Sequence, residues 1–429
     1  MRTTLVFLSI LIFGACAPLS YQAQFVESKP RANTKDHLIE YQKLHKEVFN
    51  EQGISFDNQF DAARMNSCKR KNDSTFTIEI SPENYPINAS PWYAFRIISK
   101  HKQSVWIELN YKMAKHRYIP KVSSDRENWT ATPLELIRMS RGDSTVLFPV
   151  NLQSDTTWLA AQEIINMHDT YKWADDLANE FDIEMEEYGR SKLGRPLYFL
   201  DISNSRRTKR KPIIVIVGRQ HPPEITGYLA MQAFMEKILD ASKQNKKFLK
   251  KYHILFYPII NPDGVDLGNW RHNAGGIDLN RDWGSYHQPE IRQICDHIVS
   301  QSKNNKAEVI LGLDFHSTQK DIFYTNNPPL LERESSRRGR HGRAALREDG
   351  IESEEITSTW LNALNSALSE ELIIESSLTR PVATSKTWFT EELGAEGIIY
   401  EVGDQTERPY IKEKAQIAAG LLMEILVNL

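Results

Sequence analysis

Four polar clusters in this chain have residue types and spacings that can do chemistry. His221-Pro222-Pro223-Glu224 sets an imidazole and a carboxylate three positions apart, close enough for both to hold one Zn²⁺. Asp314-Phe315-His316-Ser317 offers a second imidazole; a catalytic zinc uses three protein ligands and keeps one position open for water. Trp270-Arg271 precedes Gly276-Ile277-Asp278-Leu279-Asn280-Arg281-Asp282-Trp283. There an amide stands next to a guanidinium, a pair suited to gripping a carboxylate by parallel hydrogen bonds. Glu401 closes an apolar run in Tyr400-Glu401-Val402-Gly403-Asp404, where a carboxylate is costly unless it has a partner or a task. Taken singly, each cluster also has a plain reading: a polar turn, a hydrogen-bonded strand-end histidine, or a surface loop with incidental arginines.

The elements that must position these groups follow from periodicity. Near-continuous apolar runs at 212–217, 254–260, 309–315 and 398–402 predict strands buried on both faces. Helical patterns at 225–243, 290–302, 356–370 and 412–427 fall between and after them, which predicts a sheet covered by helices. Pro222 and Pro223 suit a helix start, where first-turn N–H groups lack partners anyway. His221 is therefore expected on a strand-to-helix loop and Glu224 in or near the first turn. Both would project at the carboxyl ends of the strands, where open α/β sheets build their sites. Upstream, residues 56–157 show period-two runs at 75–80, 92–97, 105–109 and 145–150. Turn residues separate them, so this part reads as a small antiparallel β-sandwich. Residues 17–55 read as a polar tether and a short amphipathic helix at 36–49.

The chain of 429 residues carries 53 Lys and Arg against 56 Asp and Glu, a net charge of −3. That balance leaves no whole-chain footprint for nucleic acid, and no internal run reaches the ~18 apolar residues of a membrane span. At the N-terminus, Arg2 and the apolar run 5–13 read as a signal peptide. Phe13-Gly14-Ala15-Cys16 resembles a bacterial lipobox, in which residues 1–16 would end on a lipidated Cys16. Cleavage after the A-x-A pattern Ala15-Cys16-Ala17 is the alternative. The protein is thus expected to be exported, touching a membrane only through such an anchor. Spacing leaves open whether Cys68 and Cys295 pair. Residues 332–347 hold seven basic side chains and read as a solvated loop, with a polyanion-binding loop as the alternative.

In this order, the four clusters make residues 158–429 resemble the zinc carboxypeptidase family, the group that contains carboxypeptidase A. The series runs His-x-x-Glu, Asn-Pro-Asp-Gly, Trp-Arg, Gly-x-Asp-x-Asn-Arg, a lone His and a late Glu. Tyr188 to Pro196 is similar to the family's opening hairpin. The sandwich, with Ser90-Pro91-Trp92-Tyr93-Ala94-Phe95, resembles the N-terminal domain of the cytosolic carboxypeptidase branch. The resemblance implies an α/β/α sandwich on a mixed, mostly parallel sheet. It implies one Zn²⁺ per chain on His221, Glu224 and His316, with Asp278 orienting the first imidazole. It makes Glu401 the general base toward the attacking water and Arg271 the stabiliser of the oxyanion. It gives Asn280 and Arg281 the substrate's terminal carboxylate and Ser317 a substrate contact. Lys386 falls near the position that sets side-chain preference, and an ammonium there would favour an acidic residue. The family's substrate-capping tyrosine has no counterpart, since no tyrosine stands between Tyr324 and Tyr400. The expected reaction is hydrolysis at the C-terminus of peptides or cell-wall stem peptides. The rival readings are an N-acyl or amide hydrolase of the aspartoacylase or succinylglutamate desuccinylase type, and a catalytically silent surface binding protein.

Overall fold

The computed structural model describes residues 38–85, 88–140, 142–203, 208–325, 355–368, 375–377 and 383–429. The leader, Cys16 and the basic segment 332–347 lie outside the described residues.

Strands β1 (Lys46–Phe49), β2 (Ile54–Asp57), β3 (Ser67–Arg70), β4 (Thr75–Ile80), β5 (Ala94–Ser99) and β6 (Gln103–Tyr111) open the sandwich. It is completed by β7 (Lys121–Ser123), β8 (Thr130–Ala131), β9 (Arg138–Met139), β10 (Thr145–Leu152) and β11 (Thr156–Ala160). They form two sheets, β1-β2-β5-β11-β7-β8 and β3-β4-β6-β10-β9. Along β6, Val105, Ile107, Leu109 and Tyr111 are buried while the residues between them face outward, the alternation a half-buried strand requires. Phe56, Phe76, Phe95, Ile107 and Phe148 meet in the core between the sheets.

Three expectations need correction. The segment 36–49 is no helix where it is described: residues 38–45 have no regular structure and Lys46–Phe49 is a strand paired with β2. The apolar residues spaced for a helix, Leu38, Tyr41 and Leu44, are 86%, 59% and 59% exposed. A helix there would have no face to bury, whereas the strand gains a ladder. The sandwich is also wider than 56–157, running from Lys46 to Ala160, because β11 pairs with both β5 and β7. Finally, it is not wholly antiparallel, since β4 runs parallel to β6.

The second part opens with α1 (Met167–Phe181), whose capping box joins Asn166 and Asp169. Its strands are β12 (Glu184–Arg190), β13 (Pro196–Ile202), β14 (Ile213–Gly218), β15 (His253–Tyr257), β16 (Val309–Thr318), β17 (Ile322–Thr325), β18 (Glu375–Ser377) and β19 (Glu396–Gly403). They form one sheet in the order β12-β13-β15-β14-β16-β19-β17-β18. The centre, β15-β14-β16-β19, is parallel. The sheet is flanked by antiparallel pairings on both sides. The remaining helices are α2 (Ile225–Leu239), α3 (Lys243–Lys251), α4 (Pro262–Asp266), α5 (Pro289–Asn305), α6 (Glu355–Ala367), α7 (Ser385–Leu393) and α8 (Arg408–Asn428). Ile214 and Ile216 of β14 pack under α2 and α8, while Ile213, Val215 and Val217 pack under α5 and α7. One strand thus feeds both faces, which is why its sequence is apolar throughout. Cys68 and Cys295 are free thiols buried in different cores, so they do not pair.

Two glycines set how closely helices approach the site strand. A Cβ on Gly312 of β16 would enter the Phe389 ring, and one on Gly227 of α2 would strike the carbonyl of His316. Gly227→Ala should therefore cost about 1–3 kcal/mol, the range for overpacking. It should lower the denaturation midpoint at unchanged m-value and loosen metal retention at His316. An unchanged midpoint would mean that α2 can slide without penalty.

Candidate active site

The carboxyl edge of the parallel strands gathers the chemistry. β14 ends at Gly218, and the chain turns through Arg219 and Gln220 to His221 before α2 begins. Glu224 is the N-cap residue of α2, but its side chain makes no capping bond. Its carboxylate faces the two imidazoles instead, with Oε1 at 2.8 Å from His221 Nδ1 and Oε2 at 2.7 Å from His316 Nδ1. His316 lies on β16, directly across from Glu401 on the neighbouring parallel strand β19.

Each imidazole is backed by a carboxylate on its far nitrogen. His221 Nε2 is 2.9 Å from Asp278 Oδ1, and His316 Nε2 is 2.9 Å from Asp314 Oδ2. Such partners fix the tautomer of a ligating histidine and raise its basicity. Asp278 also accepts from Arg271 Nε at 2.7 Å through its other oxygen. Asp314 Oδ2 further accepts from Gln220 and from Ser385 Oγ. The electrostatics follow from this packing. Burial alone would raise the Glu224 carboxyl, but the two imidazoles outweigh it and hold it well below its usual value. Burial likewise opposes ionisation of Asp278, and Arg271 with His221 overcomes it. His316 is raised against its own burial by Asp314 and Glu224. Glu401 goes the other way: burial pushes it up to about 7, only partly countered by His316.

The donor set fits a metal. One ligand atom each from His221, Glu224 and His316 lies within 4.8 Å of the others. Two neutral imidazoles, one carboxylate and an open fourth position make a catalytic zinc site. The buried Oε2 of Glu401 meets no hydrogen-bond partner among the described residues.

A cavity of about 260 Å³ opens over this cluster. Arg271, Asn280, Arg281 and Ser317 all line it, together with the three ligands and Glu401. Asn280 Oδ1 accepts from Ser385 N at 3.1 Å, and Arg281 Nη1 donates to the Asn280 carbonyl at 2.6 Å. Ser317 lines the wall, but its Oγ accepts from Thr226 Oγ1 and from Gly227 N, both at 2.8 Å. Lys386 is not brought into this group. It sits buried in the first turn of α7 with its Nζ donating to the Thr325 carbonyl at 3.1 Å, and burial lowers it to about 8. Among the described residues the cavity wall at that point is Thr384.

Asp314, two positions before His316, carries a role that the motifs alone do not assign. On a strand, residues i and i+2 share a face, so the spacing carried the signal. Arg117, Tyr118 and Tyr324 also line the cavity; Arg117 and Tyr118 come from the sandwich, about a hundred residues upstream of His221, and no local pattern marks them.

A metal-ligand triad on the carboxyl edge of a mixed sheet is the arrangement of a mononuclear metallohydrolase. Residues 170–418 match the zinc carboxypeptidase family model; the chain belongs to the zinc carboxypeptidase family. Mouse cytosolic carboxypeptidase 6 is 23% identical over 303 residues, covering 64% of this chain and 55% of the relative. Cytosolic carboxypeptidase 2 of Xenopus tropicalis is 34% identical over 142 residues, covering 31% and 15%. The chain thus spans about half or less of these relatives. A metallo-carboxypeptidase from Burkholderia cenocepacia superposes with a TM-score of 0.69 at 17% identity, covering 87% of this chain and 98% of that one. One from Pseudomonas aeruginosa, in complex with (2-guanidinoethylmercapto)succinic acid, gives 0.65 at 15%, covering 86% and 98%. These structures establish a shared fold that includes the sandwich.

The ligand assignment predicts that the double variant His221→Ala/His316→Ala is purified without zinc, as read by elemental analysis. Asp314→Asn should keep zinc but hold it about 10- to 100-fold more weakly in chelator competition. Full occupancy in the double variant would refute the ligand set.

Proposed function

We propose that the protein is an exported zinc carboxypeptidase that releases the C-terminal residue of peptides, including cell-wall stem peptides. The observation that carries this reading is the Asn280–Arg281 pair lining the same cavity as the metal triad and Glu401. An exopeptidase needs a grip for a free carboxylate about one residue from the bond it cuts. Asn280 and Arg281 supply that grip.

In this reading the terminal carboxylate docks on Arg281 and Asn280, which brings the last peptide carbonyl over the triad. Zinc, when bound, polarises that carbonyl and lowers the pKa of water toward ~7. Arg271 is anchored to Asp278 through Nε and is half-buried. Its remaining N–H groups face the charge that grows on the carbonyl oxygen, an interaction worth about 10²–10³ in rate. Glu401 takes the proton from the attacking water and passes it to the departing amine. Its burial and the raised pKa that follows from it suit a base working near neutrality. Asp278 and Asp314 keep both imidazoles turned toward the centre throughout.

Glu401→Gln should retain zinc and the thermal midpoint while turnover falls about 10²–10⁴-fold. Mass spectrometry of a mixed peptide pool is the readout, with the parent producing species shortened by one residue at the carboxyl end. Activity within a few-fold of the parent would exclude Glu401 as the base. Shortening from the amino end, or release of acyl groups alone, would overturn the carboxypeptidase reading.

The export part of the proposal rests on the leader sequence and Cys16. Cys16→Ser should move the protein from the membrane fraction to the soluble fraction of expressing bacteria. A parent protein that is already soluble would favour cleavage at Ala15-Cys16-Ala17 instead.

A further inference from the structure

One wall of the cavity belongs to the sandwich. Arg117 and Tyr118 lie between β6 and β7, and both line the cavity over the metal triad. Arg117 Nε donates to Asp404 Oδ2 at 2.7 Å, three residues beyond Glu401. Its guanidinium stacks over the rings of Tyr118 and Trp270, at 5.2 and 5.8 Å from their centres. Trp270 Nε1 in turn donates to Tyr118 Oη at 3.1 Å. One edge of the guanidinium is therefore fixed by an ion pair and one face by two rings. Nη1 and Nη2 meet no acceptor among the described residues, and the side chain is 22% exposed.

Three arginines line the cavity among the described residues, Arg117, Arg271 and Arg281. Arg281 stands on the turn just after Asp278, whereas Arg117 comes from the sandwich and is paired with Asp404, beyond Glu401 at the end of β19. With the terminal carboxylate assigned to Arg281 and the scissile carbonyl to Arg271, Arg117 is the cavity cation left to meet the chain upstream. Asp404 already balances the charge of Arg117, so a neutral acceptor suits its open edge better than a second carboxylate. A carbonyl oxygen carries two lone pairs and can accept from the open N–H groups without adding charge.

We propose that Arg117 is a substrate-binding residue, holding the main-chain carbonyl of the peptide bond next upstream of the one cleaved. The sandwich would then help select for chain length and not only shield the site. This rests on the carboxypeptidase reading of the cavity.

The test uses the zinc-loaded full chain and two acylated tripeptides with identical C-terminal residues. In the second, the upstream amide is replaced by a trans-alkene of the same shape, which deletes the carbonyl. The parent should lose about 10- to 100-fold in kcat/KM on the alkene, the worth of a hydrogen bond to a charged group. Arg117→Met, which keeps the stem against Trp270, should lose a similar factor on the amide substrate and less than twofold on the alkene. Equal turnover of both peptides by the parent overturns the proposal without needing any variant, and leaves the carboxypeptidase reading standing. A variant that loses equally on both peptides also overturns it, since Arg117 would then act on the metal centre through Asp404. If Arg117→Met does not fold, Arg117→Lys keeps a cation for Asp404 and loses the guanidinium, and the same comparison applies. Release from neither peptide by the zinc-loaded parent counts against the carboxypeptidase reading, and the subsite falls with it.

Discussion

The centre of this protein is a carboxylate that two imidazoles must keep ionised. Glu224 is buried between His221 and His316, and an uncompensated carboxylate in such a place would neutralise or unfold its surroundings. Asp278, Asp314 and Glu401 crowd the same pocket. Four acids within one desolvated cluster are tolerable because two imidazoles and Arg271 interleave with them, and because burial raises Glu401 and so favours its neutral form. The cluster is therefore interdependent. Asp278 serves both His221 and Arg271, so the imidazole of the triad and the guanidinium in the cavity wall share one anchor. Any substitution within the set changes the charge felt by all of it.

The sheet delivers this cluster through register rather than through loops alone. His316 and Glu401 are Cα partners on adjacent parallel strands, and Asp314 lies opposite Ile399 two steps earlier. A slip of one residue in that pairing would turn both working side chains to the wrong face. The opposite face guards against it, because Leu311, Leu313 and Phe315 of β16 and Ile398, Tyr400 and Val402 of β19 are buried in the core with α2 and α8. The close approach of Gly227 to the His316 carbonyl and of Gly312 to Phe389 leaves little room for the strand to shift. Rigid elements thus hold the imidazole to within the tolerance a metal demands.

What was legible in the sequence divides along the same line. Continuous apolar runs identified β14, β15, β16 and β19, because strands buried twice have no polar face to confuse the pattern. The candidate triad was legible because His221 and Glu224 follow one such run and His316 closes another. The amphipathic spacing at 36–49 misled, because periodicity reports a possible face and not whether anything covers it. The role of Asp314 was overlooked in a strand whose two-residue period contained it. The family resemblance puts Lys386 near the position that sets side-chain preference, but α7 turns its ammonium to the Thr325 carbonyl. Arg117 and Tyr118 were invisible for a different reason: their place at the cavity is created by packing between two parts of the chain, which no local pattern records.

That packing is the last step in the logic of the fold. The loop bearing Arg271 has little regular structure of its own, and the sandwich holds it along its length. Arg64 donates through Nε to the Gly268 carbonyl at 2.8 Å and through Nη2 to Asn269 Oδ1 at 3.1 Å. Asn84 Nδ2 donates to the Gly276 carbonyl at 3.2 Å. Glu83, fully buried, accepts the backbone N–H of Arg271 at 2.9 Å and of His272 at 3.1 Å. Burial would raise Glu83, but His272 and Arg64 overcome it and bring the carboxyl down to about 2. A buried charge held this way has one favourable geometry, so it sets the loop's position firmly. Without the sandwich, the Arg271 loop would lose these anchors and the cavity would lose the wall formed by Arg117 and Tyr118. The site is therefore built by both parts of the chain together: one brings His221, Glu224 and His316 to the strand ends, and the other holds the loop that carries Arg271.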